Sequence, residues 1–125
     1  MNRRLLLAAT LALLTGCAST PVRVAAPAGS PLGELEPLYS VSAGRQALTI
    51  RVASNGCTRK EDFAFYVEMK GEAATLAFGR KRLDPCKSFA MGHADIAFSY
   101  AELGVGRRTP LFLLNPFTPW TGPGS

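Results

Sequence analysis

The sequence predicts a mainly β protein, a small antiparallel β-sandwich or barrel with one disulfide. From Leu38 onward, apolar residues recur mostly at every second position, which is the period of a half-buried strand. Gly and Pro are denser before position 38 and after position 115, so the central part is expected to be the folded domain. A chain of 125 residues leaves no room for a second independent core.

The first sixteen residues have the layout of an export signal. Arg3 and Arg4 supply positive charge, and residues 5–14 form an apolar run in which Thr10 is the only polar residue. As a helix this run would rise about 15 Å, roughly half the thickness of the hydrocarbon layer of a bilayer. The run is therefore too short for a membrane span, and we expect residues 1–16 to be a signal peptide.

Residues 14–17 read Leu-Thr-Gly-Cys directly after the apolar run. This tetrapeptide resembles the lipobox of bacterial lipoproteins. The resemblance implies cleavage before Cys17, a diacylglyceryl group on its sulfur and an acyl chain such as palmitate on the new amine. Two or three acyl chains make a stable membrane anchor. The alternatives are an ordinary cleaved signal with an incidental cysteine, or a buried apolar helix.

The residue after this cysteine, Ala18, bears on location. In the lipoproteins that the sequence resembles, an Asp at this position often retains the protein in the inner membrane. The resemblance therefore implies the cell outer membrane, with the lipid-anchored domain facing the periplasm. Apart from this covalent lipid, we expect no cofactor.

The segment that follows is rich in Pro, Ala and Gly, and it has neither a helical period nor sustained alternation. We expect residues 17–37 to be the lipidated cysteine and a flexible tether, residues 38–116 the β domain, and residues 117–125 a C-terminal tail. The alternative is that part of the tether packs on the domain as an edge strand.

Groups of apolar residues predict the strands in chain order. Short helical turns are expected near residues 58–62, where Thr58 and Glu61 have capping-box spacing, and near residues 100–103. The apolar groups are Tyr39 and Val41; Leu48, Ile50 and Val52; Phe63, Phe65, Val67 and Met69; Ala74, Leu76 and Phe78; Ala94, Ile96, Phe98 and Tyr100; and Leu111 to Leu114.

Gly71 and Glu72 separate two of these strands and suit a two-residue type II′ hairpin turn. Such a turn determines the register of the strands that it joins. The predicted pairs on the apolar face are Met69 with Ala74, Val67 with Leu76, and Phe65 with Phe78.

With Cys17 assigned to the lipid, Cys57 and Cys86 remain as a pair in an oxidising compartment. They lie equally far from the hairpin turn, so the hairpin brings their segments together. We expect a disulfide that stabilises the domain by about 3.5 kcal/mol. The alternatives are two free buried thiols or a redox site, but the pair lacks Cys-x-x-Cys spacing.

Few residues suggest chemistry. His93 is the only histidine, and Asp95 would share its face of a strand, but two ligands do not make a zinc site. Ser88 or Ser99 could complete a triad, yet no nucleophile elbow or oxyanion signature accompanies them. We therefore expect no catalytic residues and no metal. The acids at 61, 62 and 68 lie among basic residues and are expected to be solvated.

The net charge of +5 includes Arg3 and Arg4 of the predicted signal peptide, and the remaining surplus is too small to predict nucleic-acid binding. Arg80, Lys81 and Arg82, with Lys87 nearby, form the densest basic cluster, and residues 107–108 form a second. Either could contact an anionic envelope surface or an acidic partner, or simply be charged loops that keep the domain soluble.

The C-terminal segment contains Phe117 and Trp120 after a strand that should already be buried. These aromatic residues either strap the domain or form an exposed hook for another envelope protein.

Residues 55–116, with GCTRKEDFAF, RLDPCKSF and HADIAFSYAELG, resemble small proteobacterial lipoproteins of no assigned function. The resemblance carries no activity. We expect a non-enzymatic, membrane-anchored lipoprotein whose β domain binds or scaffolds another envelope component. The alternatives are a periplasmic inhibitor of a lytic enzyme or protease, acting through a loop such as 80–87, and a small hydrolase using His93.

Overall fold

The computed structural model describes residues 23–123. The predicted signal peptide, Cys17, residues 18–22 and residues 124–125 lie outside this range. The described residues form two three-stranded sheets, which confirms a mainly β fold. The strands are β1 (Ser40–Ala43), β2 (Ala47–Ser54), β3 (Phe63–Lys70), β4 (Ala73–Arg80), β5 (Gly92–Ser99) and β6 (Leu111–Leu113), with a 3-10 helix at Lys60–Asp62 and a helical turn α1 at Tyr100–Leu103.

The first sheet has the order β1-β2-β5, and both of its pairings are antiparallel. Alternation along β2 has the predicted period, because Leu48, Ile50 and Val52 are buried while the residues between them are half-buried. This strand is the centre of its sheet and supplies one side of the core.

The second sheet has the order β3-β4-β6. The predicted register of the β3–β4 hairpin is confirmed, with Met69 opposite Ala74, Val67 opposite Leu76 and Phe65 opposite Phe78. At the turn Gly71 has a φ of 64°, and none of the described non-glycine residues has a positive φ. A positive φ at the first turn position alone is what a type II′ turn requires.

The last strand differs from an all-antiparallel arrangement, because β6 pairs parallel with β4. The chain arrives from α1, on the side of the other sheet, so β6 enters from the end of the sheet where β4 begins. The N–H of Ala74 bonds to the carbonyl of Pro110 at this entrance, and the N–H of Leu114 bonds to the carbonyl of Leu76 at the exit.

The two sheets pack face to face through aromatic and aliphatic side chains. The ring of Phe98 on β5 lies 4.8 Å from that of Phe78 and 5.8 Å from that of Phe65, measured between centroids. Because β4 is central and β3 is an edge strand, burial concentrates on β4, and Met69 near the hairpin tip is 53% exposed.

Part of the predicted tether packs on the domain. Leu35 is only 2% exposed, and the N–H of Glu36 bonds to the carbonyl of Phe78. A Cβ at Gly79 would lie 3.1 Å from both the Glu34 carbonyl and the Leu32 side chain, so this close approach favours a glycine. The packed part of the chain therefore begins before the expected boundary at residue 38.

Both short helical turns occur where they were predicted, but the first has a different cap. The carboxylate of Asp62 accepts from the N–H of Arg59, whereas the expected pairing of Thr58 with Glu61 is wrong. Asp62 is buried rather than solvated, because its carboxylate closes this turn. At α1, Ser99 and Glu102 form a complete capping box.

Among residues 23–123, no helix has the length and apolar character needed to cross a membrane.

Candidate functional site

The candidate site is the connection between β4 and β5, residues 81–91, which we call the 81–91 loop. Three apolar side chains project from it into solvent: Leu83 is 82% exposed, Met91 is 61% exposed and Phe89 is fully exposed. Exposed basic residues lie on both sides of Leu83, with Lys81 and Arg82 before it and Lys87 between it and Phe89. Large apolar side chains clustered on a surface indicate a contact site rather than a core position.

A disulfide between Cys57 and Cys86 holds the loop, with a Cα–Cα distance of 5.6 Å. The predicted pairing is confirmed. Cys57 lies in the connection from β2 to β3, and Cys86 lies in the connection from β4 to β5. The disulfide therefore joins the two connections that pass between the sheets at this end of the sandwich.

The carboxylate of Asp84 gathers the same two connections. It faces into the backbone rather than toward solvent and accepts hydrogen bonds from residues of both. The donors are the N–H groups of Asn55 (2.8 Å), Cys86 (2.9 Å) and Cys57 (3.1 Å) and the hydroxyls of Thr58 (2.8 Å) and Ser54 (3.2 Å).

This hydrogen bonding favours the charged carboxylate. Desolvation raises the pKa of Asp84, but the hydrogen bonds from the Thr58 hydroxyl and from three backbone N–H groups outweigh it. The pKa of Asp84 is therefore held well below the ordinary value of a carboxyl. The loop backbone is fixed at its centre by a group that stays ionised at neutral pH.

Arg80 fixes the base of the loop. Its Nη2 lies 2.7 Å from Glu36 Oε1 and donates to the carbonyl of Ala53 at 2.8 Å, and its guanidinium lies 4.7 Å from the centroid of the Phe63 ring. The side chains of Arg80 and Glu36 are 12% and 13% exposed. Arg80 thus supports the loop from inside instead of presenting a free cation to a partner, whereas Lys81 and Arg82 are exposed.

The other expected contact residues, Phe117 and Trp120, lie in the segment that follows β6. Leu38 and Phe117 form a parallel bridge, and the N–H of Thr118 bonds to the carbonyl of Leu38. The ring of Trp120 stands edge-on to Tyr39 and to His93, each at 5.0 Å between centroids. The described part of the tail is thus a strap, although Phe117 remains exposed.

The residues considered for hydrolysis have other neighbours. Asp95 accepts from Arg51 at 2.7 and 2.9 Å, a hydrogen-bonded pair that lowers the pKa of Asp95. His93 lies with Asp95 on the exposed face of β5, as predicted, but the His93 ring contacts Trp120. The hydroxyl of Ser99 caps α1, and that of Ser88 donates to the carbonyl of Ala90.

Cys57, Asp84 and Cys86 lie close enough together to resemble a metal site, with their ligand atoms within 4.8 Å of one another. Both sulfurs are consumed by the disulfide, so they cannot act as thiolate ligands. The cluster is a structural brace.

A cleft of about 320 Å³ opens between the edge strands β1 and β6, away from the disulfide. Val41 and Ala43 line one side, Leu111 and Leu113 line the other, and Arg107 lies at its rim. The expected basic pair at residues 107–108 therefore lies beside this cleft, in the connection between α1 and β6, and not in the 81–91 loop.

A scan against protein-family models found no match, and searches of curated proteins and of solved structures found none either. The lipoprotein resemblance and the function that it implies thus stay predictions.

Sequence reasoning missed the apolar residues of the loop and the role of Asp84. One local signal was present. Asp84 precedes Pro85 and bonds to the N–H two residues on, at Cys86, which is the Asx turn that Asp favours. The burial of Glu36 and the exposure of Phe89 depend on tertiary packing and have no comparable signal.

Proposed function

We propose that this protein is a lipid-anchored, non-enzymatic binding module of the bacterial outer membrane, facing the periplasm, and that the 81–91 loop is its contact surface. The anchor is proposed at Cys17, from the lipobox-like residues 14–17. The partner is another envelope component, either a protein or an anionic surface.

One observation carries the contact surface. The 81–91 loop exposes Leu83 and Phe89 among basic side chains while its backbone is held by a disulfide and by the Asp84 carboxylate. A flexible loop would lose conformational freedom on binding, whereas a braced loop has already lost it. Apolar side chains that are held exposed to water raise the free energy of the protein. A partner that covers them removes this cost.

A non-catalytic role is supported by the surroundings of the residues that would do chemistry. Asp95 is engaged by Arg51, and His93 lies against Trp120 on the strapped face of the first sheet. Neither the Ser88 nor the Ser99 hydroxyl has His93 as its hydrogen-bond acceptor.

The anchor is tested by growing cells with radioactive palmitate and separating the membranes on a density gradient. We expect label on the wild-type chain in the outer-membrane fraction and none on Cys17→Ser. An unlabelled wild-type chain, recovered free in the periplasm with the mass of its amino acids alone, contradicts the proposal.

The contact surface is tested by placing a photoreactive amino acid at Ser88 in the loop or at Ser42 on β1, both exposed serines. Irradiation of intact cells should give a reproducible adduct at position 88 and none at position 42. Equal adduct formation at the two positions contradicts a role for the loop.

A second candidate function, inhibition of a lytic enzyme or protease, is favoured by the same braced geometry. A protruding loop that is pinned by a disulfide can fill a substrate cleft with little ordering cost. Stoichiometric inhibition of a lysozyme or protease, lost in Leu83→Ser/Phe89→Ser, would favour this function over scaffolding.

A further inference from the structure

We infer that the 81–91 loop docks on the anionic phospholipid surface of the membrane that anchors the chain, so that the domain lies against its own bilayer. The inference rests on the proposed lipid anchor at Cys17 and specifies the partner of the same loop.

The composition of the exposed loop matches a membrane interface. Surface-binding segments combine Lys and Arg, which meet anionic headgroups, with Phe and Leu, which enter the boundary with the acyl chains. The 81–91 loop has both classes exposed, with Leu83 and Phe89 apolar and Lys81, Arg82 and Lys87 basic. Leu83 and Met91 also line one cleft of about 300 Å³ beside the loop.

The basic charge of the loop is little neutralised by the protein. Its only acid, Asp84, has its carboxylate turned toward backbone and hydroxyl donors. Among the described residues, Lys81 and Lys87 are in no ion pair, and Arg82 reaches Asp62 only at 4.0 Å. The exposed side of the loop is therefore positive, which complements an anionic surface.

The chain leaves for the anchor from the base of the same loop. Glu36 binds Arg80, and the Glu34 carbonyl lies beside Gly79, the residue before it. Ala25 pairs with Glu34, so Arg23 lies near this end of β4. From Cys17 to Arg23 the covalent chain reaches at most about 20 Å. An anchor at Cys17 therefore holds this end of the sandwich close to the bilayer.

Because the 81–91 loop is already ordered, a small contact surface is enough for it to dock on the membrane. The disulfide and Asp84 fix the loop, and the lipid keeps it at the membrane at high effective concentration, so each contact adds to an attachment that already exists. Docking would set the orientation of the domain, with the β1 and β6 edges left open.

The test uses residues 17–125 with Cys17→Ser, which contain both sheets and the disulfide but no acyl chain. Binding is measured by co-sedimentation with vesicles of phosphatidylglycerol and with vesicles of phosphatidylcholine. We expect binding to the anionic vesicles that weakens with salt. Leu83→Ser/Phe89→Ser and Lys81→Gln/Lys87→Gln should each weaken it at least about tenfold.

Two matched control variants change the other basic cluster, at residues 107–108, and an exposed aromatic residue on β6. Arg107→Gln/Arg108→Gln removes the same charge as the lysine variant, and Phe112→Ser removes an exposed aromatic ring from β6. Both should bind anionic vesicles like the parent. The inference is overturned if the parent does not prefer phosphatidylglycerol, or if the control variants lose as much binding as the loop variants.

A second readout reports insertion directly. The chain has a single Trp, so Trp120→Phe/Phe89→Trp places the only indole on the loop. Its emission should shift to the blue with anionic vesicles and be quenched by brominated lipid. An unshifted, unquenched emission contradicts docking.

The two proposals fail separately. Palmitate labelling of Cys17 reports the anchor whatever the loop does. If the adduct at Ser88 in cells is a protein and the vesicle experiments are negative, the loop is a protein contact and the membrane inference is wrong, while the binding-module proposal stands.

Discussion

Two regions of the molecule, the 81–91 loop and the C-terminal segment at 116–120, carry the basic or aromatic residues that predict a contact surface, and their side chains are arranged in opposite ways. In the loop, polar and covalent bonds hold the backbone and the apolar side chains point outward. In the C-terminal segment, backbone bonds to Leu38 hold the chain and Trp120 turns onto the first sheet. The ring of Trp120 is thus used within the fold, whereas the ring of Phe89 is left exposed.

The largest expected effect comes from removing the brace of the loop. Cys57→Ser/Cys86→Ser should lower the free energy of unfolding by about 3.5 kcal/mol, because the link constrains the unfolded chain. Urea titrations of the variant and of the reduced wild type measure it. A loss below about 1 kcal/mol would contradict a large stabilising effect of the disulfide.

The next effect concerns the charge at Asp84. Because its pKa is lower in the folded chain, its stabilising contribution is complete above about pH 5, declines as the pH falls below the ordinary Asp value of about 4, and is lost as the pH falls through the folded-state pKa. Asp84→Asn should lower the melting temperature at neutral pH and also flatten the decline between about pH 5 and pH 2.

The control for this charge is Asp95→Asn. The pKa of Asp95 is also lowered, by Arg51, but the pair is exposed and screened by solvent, so its removal should change the melting curve much less. Melting followed by circular dichroism across this pH range compares the two variants. If the pH dependence of the melting temperature flattens equally in both variants, Asp84 contributes no more to stability than the exposed Asp95.

A smaller effect is expected from the strap. Trp120→Ala removes edge-on contacts with Tyr39 and His93 and should cost about 1–2 kcal/mol of stability. It should change vesicle binding of the 81–91 loop little, because the strap approaches the loop at Met91, whose sulfur accepts from the Tyr39 hydroxyl at 3.2 Å, whereas docking uses Leu83 and Phe89. Thermal melting and co-sedimentation of the same variant test both statements, and a loss of vesicle binding would show that the regions are coupled.

The smallest effect should follow Phe117→Ser. This ring is 58% exposed, and its residue contributes to the strap through the backbone bridge with Leu38. Melting should be nearly unchanged. A large loss would mean that the ring itself, and not the main chain, attaches the tail.

The hairpin of β3 and β4 was predictable to the residue because a two-residue turn with a glycine determines which positions face each other. The direction of β6 was not, since a three-residue apolar strand specifies neither its partner nor its orientation. The disulfide followed from the same hairpin, which brings Cys57 and Cys86 together.

The candidate site was only half predictable. The basic residues at 81, 82 and 87 are visible as a cluster, but no pattern in the sequence shows whether Leu83 and Phe89 are buried or exposed. Their exposure arises because the loop spans the end of the sandwich, where no strand covers it. Burial of Arg80 likewise depends on Glu36, a residue far away in the sequence within a segment that reads as a linker.

The bond between Cys57 and Cys86 closes a ring that contains the whole β3–β4 hairpin. A protease that cuts the exposed tip at Gly71 and Glu72 would open this ring without dividing the molecule, because both fragments stay tied through sulfur. Only reduction would then release the C-terminal half, so a nicked copy would keep its two sheets together.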